Sequence, residues 1–136
     1  MGYFWFSVAT AKRLPKVGDH WHADYEVIIC GNKMPILPYT QGNIHTHGDG
    51  KIHIHPQYPY EAGENANLGR FFRSASVTFT DSTIQYPGNR AYTNGDLCSN
   101  GKPGKLKLFV NGKEDDKLDK YVPEDLDRIR VEFTTE

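Results

Sequence analysis

Asp19-His-Trp-His-Ala-Asp-Tyr-Glu-Val-Ile-Ile29, opened by Gly18 and closed by a Gly31-Asn32 turn, alternates in character residue by residue. A β-strand projects residues i and i+2 from one face. Trp21, Ala23, Tyr25 and Val27 therefore face a core, while His20, His22, Asp24 and Glu26 share the opposite side. Around this strand, thirteen glycines, eight prolines, eight tyrosines and seven phenylalanines punctuate short apolar runs, with no long amphipathic helix. That pattern predicts a mainly β protein, a β-rich α+β chain built on an antiparallel or mixed sheet.

A second decisive stretch is Ile44-His-Thr-His47, Gly48-Asp-Gly50, Lys51-Ile-His-Ile-His55, ended by Pro56. It reads as a β-hairpin, and its loop length sets its chemistry. A three-residue Gly-Asp-Gly loop with Gly50 left-handed pairs His47 with Lys51 and His45 with His53, so that all four histidines share a face above Ile44, Ile52 and Ile54. A two-residue Asp49-Gly50 turn would pair His47 with Ile52 and split the imidazoles between faces. The longer loop is preferred because it segregates isoleucine from histidine, as burial of one face demands.

Elsewhere, Lys33 to Gly42, with Pro35 and Pro38, reads as an irregular connection, and Tyr58 to Gly63 as a loop. Glu64 to Phe72 is the candidate short helix, Ala75 to Thr80 and Thr83 to Tyr86 are candidate strands, and Pro87 to Pro103 is a Gly/Asn-rich excursion. Lys105 to Val110 alternates, Asn111-Gly112 signals a turn, Pro123 to Asp127 is a short connection, and Arg128 to Phe133 alternates again. This final third resembles the tail of small β-grasp domains, in which these parts complete a mixed sheet.

The 136 residues are expected to form one metal-binding β domain, residues 1–17 serving as an N-terminal strand or a stub. A net charge of -1 gives no electrostatic basis for binding nucleic acid or an anionic membrane. The run Lys113 to Lys120 mixes signs and reads as a solvated face. Gly2 to Ala9 is apolar but far shorter than the roughly 20 residues of a membrane helix. It is read as a strand or as the remnant of an anchor, the only expected membrane link. Cys30 and Cys98 form no Cys-x-x-Cys motif; a disulfide, which implies an oxidising compartment, and two buried thiols account for them equally well.

All six histidines lie between positions 20 and 55, in three His-x-His pairs: His20/His22, His45/His47 and His53/His55. Paired imidazoles on strands are how a sheet offers nitrogen to a transition metal. They suit copper or zinc, with iron and nickel also compatible, and disfavour calcium and magnesium. Asp24, Glu26 and Asp49 are candidates for a supporting shell or a general base; strand-face solubility for Asp24 and Glu26 and turn formation for Asp49 are the simpler readings. No Gly-x-Ser-x-Gly elbow or helix-opening phosphate loop is present. Tyr58, Tyr60, Tyr86 and Tyr92 line a binding rim or pack over the core.

Asp19-His-Trp-His-Ala23 with Gly42-Asn-Ile-His-Thr-His-Gly-Asp-Gly-Lys-Ile-His-Ile-His-Pro56 resembles an uncharacterised family of small prokaryotic, often membrane-anchored and outward-facing proteins. The resemblance implies an extracytoplasmic setting and transfers no activity. His20-Trp21-His22 also resembles a copper-ligand motif of multicopper oxidases, but no His-Cys-His segment accompanies it. A cupin-like arrangement would need a later histidine, and none follows His55.

Three functions fit this reading: a copper or zinc protein for capture, delivery or sensing; a mononuclear metalloenzyme, hydrolase or oxidoreductase, using three of the histidines; and a β-grasp-like protein-interaction module. Ligand strands on small domains are often completed across a symmetric interface, so a homo-oligomer is compatible with the first two.

Overall fold

The computed structural model describes residues 12–136; Gly2 to Ala9 lies outside the described residues. The described residues are mainly β, with one α-helix among them, a mixed sheet and a small antiparallel sheet. In chain order the elements are β1 (Trp21–Ile29), β2 (Asn32–Lys33), β3 (Ile44–His45), β4 (Lys51–Ile54), α1 (Leu68–Ser74), β5 (Thr78–Phe79), β6 (Thr83–Gln85), β7 (Tyr92–Thr93), β8 (Lys105–Val110), β9 (Lys113–Asp115) and β10 (Arg128–Thr134).

The mixed sheet runs β3-β4-β1-β10-β8-β9, with β2 pairing on β1. β1 and β10 lie parallel at its centre, Val27 opposite Val131, and every other pair is antiparallel. Alternation explains this placement: Trp21, Ala23, Tyr25, Val27 and Ile29 of β1 and Ile129, Val131 and Phe133 of β10 are all buried on one face. β8 adds Leu106 and Leu108 to that core. Asn111 and Gly112 both have positive φ, as a two-residue hairpin turn requires, and they connect β8 to β9. The C-terminal part is β-grasp-like in this sense: a hairpin, a short connection and a final central strand complete the mixed sheet.

The remaining core comes from α1, which buries Leu68, Phe71 and Phe72. Phe71 meets Tyr25 edge-on at 5.3 Å between ring centroids, and Phe72 meets Phe79 of β5 at 5.4 Å. The strands β5, β6 and β7 form the small sheet. Cys30, at the end of β1, is disulfide-bonded to buried Cys98, which resolves the cysteine alternatives.

Several sequence expectations need correcting. The helix starts at Leu68 rather than Glu64, because Ala66 and Asn67 leave helical geometry and the Asn67 side chain accepts a hydrogen bond from Arg70 N, capping the first turn. A separate 3₁₀ turn covers Gly63–Asn65. The strand expected from Ala75 shrinks to Thr78–Phe79, since Ser76 at φ 61° turns the chain as the helix ends. The mixed-charge run from Lys113 is solvated as expected, and part of it is strand β9, paired to β8. Of the four tyrosines, Tyr86 is buried with its hydroxyl donating to the Pro35 carbonyl, and Tyr92 packs on Phe133. Only Tyr58 and Tyr60 are exposed, stacked on one another.

Candidate metal centre

The site is assembled by strand register. β4 lies between β3 and β1, with Ile44 opposite Ile54 and His45 opposite His53 on one side, and His22 opposite His53 and Trp21 opposite Ile54 on the other. This is the register of the three-residue loop, with Gly50 at φ 75°. Ile44, Ile52 and Ile54 are buried beneath, and the imidazoles gather on the other face. The ladder stops at His45, so the expected His47 to Lys51 pairing does not form. Thr46 is drawn away instead: its N–H donates to Thr40 Oγ1, and its carbonyl accepts from Thr40 N.

All six rings form one contiguous cluster. His20 lies 3.8 Å from His55 and His22 4.5 Å from His53, centroid to centroid. His45 and His53 are 5.3 Å apart and nearly parallel, and His47 is 4.2 Å from His53. Two trios have ligand nitrogens mutually within 4.8 Å: His20, His22 and His55, and His45, His53 and His55. Four-coordinate zinc with bonds of about 2.0–2.1 Å separates its nitrogens by roughly 3.4 Å. The Nε2 atoms of His20 and His22 are 3.2 Å apart. These groups are therefore close enough to hold a metal ion. His47 belongs to neither trio, and its Nε2 hydrogen-bonds His45 Nε2 at 2.8 Å.

Burial and crowding favour the neutral form of three of the rings, His22, His45 and His55. Burial, followed by the adjacent imidazoles of His20, His45, His53 and His22, lowers His55 to about 4. Burial and then His53 and His20 lower His22; burial and then His47 and His53 lower His45. A neutral imidazole keeps one nitrogen lone pair free for a metal. His45 Nδ1 and His55 Nε2 are buried without a hydrogen-bond partner.

The three candidate carboxylates separate clearly. Asp49 Oδ2 lies 2.9 Å from His53 Nε2. Burial would raise Asp49, but its hydrogen bonds with His53 and the Lys51 N–H prevail and hold it at about 2. An ionised carboxylate only accepts, so His53 Nε2 carries the proton and Nδ1 is left as donor to a metal. Asp24 pairs with Lys51 at 2.6 Å, at the margin of the cluster. Glu26 pairs with Lys33 at 3.4 Å, away from it.

Sequence reasoning missed Glu61. Its buried carboxylate accepts from Asn43 Nδ2, at 2.9 Å to each oxygen, and from the backbone N–H groups of Gln57 and Tyr58. It thereby ties the residue before β3 to the segment after His55. Burial alone would raise its pKa, yet these hydrogen bonds bring it below the usual carboxylate range. The Tyr58-Pro-Tyr-Glu segment gave no periodic signal that could have exposed this role. Asp125 was also missed: its Oδ1 accepts from His22 N at 2.9 Å, fixing the backbone at the start of β1 beside His20 and His22.

No helix among the described residues is long and apolar enough to cross a membrane. No family model, curated protein or solved structure matches this chain, so its function is argued from the site alone.

Proposed function

We propose that this protein binds a transition metal ion, copper or zinc, through its His-x-His pairs, and serves in metal capture, delivery or sensing. The observation that carries the reading is the convergence of histidines into two trios, with buried nitrogens of His45 and His55 that make no hydrogen bond. Leaving a buried polar atom unpaired costs about 1–3 kcal/mol. A metal ion would satisfy both atoms at once. Asp49 supports the same reading, because a carboxylate behind a ligating histidine fixes its tautomer and raises its basicity.

A mononuclear metalloenzyme draws support from the three-histidine sets, since three protein ligands leave one coordination position open. Catalysis would also require a group to move protons. The candidate bases Asp24, Glu26 and Asp49 are each engaged with a cationic or imidazole partner, which favours binding over catalysis. The disulfide supports a setting outside the reducing cytoplasm.

Elemental analysis of untagged protein is expected to find copper or zinc near or above one per chain. His45→Ala with His53→Ala should remove high-affinity binding. Wild-type protein that takes up neither metal on titration would refute the reading and leave the protein-interaction alternative.

A further inference from the structure

The two trios are not equivalent, and they share one member. His20, His22 and His55 form the accessible group, with His20 exposed; His45, His53 and His55 form the sheltered one, with His53 only 7% exposed. Among the described residues, Asp49 is the one carboxylate hydrogen-bonded to an imidazole, and it backs the sheltered group. Nothing comparable backs the outer group, whose His20 and His22 side-chain nitrogens face each other.

We propose that the trios are successive stations for a single metal ion, an outer one for capture and an inner one for retention, with His55 as the ligand common to both. The inference rests on the metal-binding reading. His55 belongs to both sets, so an ion moving inward need never lose all its protein ligands. The lone pairs of His45 Nδ1 and His53 Nδ1 replace those of His20 and His22. Each station offers imidazole nitrogens, so no electron is transferred and the charge on the ion is unchanged.

Simultaneous occupancy is disfavoured for the same reason. Two dications sharing one imidazole would repel across a short distance, with Asp49 the sole carboxylate on the rings to offset them. The ion is drawn inward because the Asp49-oriented His53 is the better fixed ligand, and because the orphaned His45 nitrogen gains its partner there.

The test uses Zn²⁺ with the full chain, measuring loading by stopped flow and affinity by chelator competition, with circular dichroism to verify folding. Wild-type protein should bind one Zn²⁺ tightly. His20→Ala with His22→Ala should slow loading by about tenfold while leaving Kd within a few-fold. Asp49→Asn should weaken Kd about 10- to 100-fold with little effect on loading. His55→Ala should impair both. Two Zn²⁺ ions of comparable affinity per chain, or outer-pair variants that weaken Kd as much as Asp49→Asn does, would overturn the relay while preserving the metal site. No uptake by wild-type protein would remove the metal reading itself.

Discussion

Gly104 and Glu61 show how single residues position the sheet that carries the histidines. A Cβ added to Gly104 would lie 2.3 Å from Cε1 of Phe133, a fully buried ring of β10. Gly104→Ala is therefore expected to destabilise the protein by about 1–3 kcal/mol, measured by urea unfolding, because a packed core must shift to admit the methyl. Glu61→Gln should cost about 1–3 kcal/mol at neutral pH, since a charged acceptor of buried donors is replaced by a weaker one. The sign with pH follows from the lowered carboxyl. Its contribution is present above the unfolded carboxylate pKa and is lost as pH falls through the lower folded value. The stability gap between wild type and Glu61→Gln should accordingly narrow in acid, and a gap that widens there would contradict the assignment.

At the scale of the element, the hairpin of β3 and β4 governs the site through its count of loop residues. A strand has a side-chain period of two, so a one-residue slip exchanges core and ligand faces. Gly48→Val, strained at the left-handed φ of 76° that this loop gives the position, should favour the two-residue Asp49-Gly50 turn, which pairs residue 48 with Lys51 and His47 with Ile52. Zn²⁺ affinity is expected to fall by at least about 100-fold, together with a lower Tm, as isoleucine and histidine compete for the same face. Retained affinity in that variant would show that the loop does not fix the register. The hairpin was legible in the sequence because alternation and left-handed glycine both constrain it. Its termination at His45 was not, because it depends on hydrogen bonds that Thr46 makes to Thr40 in a segment without periodicity.

For the whole molecule, the disulfide spans a sequence separation of 68 residues and joins the end of β1 to the excursion beyond β7. Closing a loop of that length restricts the unfolded chain by about 4 kcal/mol. Reduction, or Cys30→Ser with Cys98→Ser, should lower stability by up to that amount in chemical denaturation. Cys30 lies at the opposite end of β1 from the histidines, so Zn²⁺ affinity of the folded protein should change little.

The sequence alone determined the β class, the burial of alternate residues on β1, β8 and β10, and the clustering of histidines on a ligand face, because periodicity and turn chemistry are local properties. It also singled out Asp49 without deciding between a turn residue and a partner of the site; the fold makes it both, through its bonds to Lys51 N and His53 Nε2. Tertiary structure decided the rest: the placement of β4 between β3 and β1, the disulfide, the clamp at Glu61, and the division of five of the six histidines into an outer and an inner trio sharing His55. Each of these depends on contacts between segments far apart in the chain, where the geometry of close packing, rather than local pattern, selects the partner.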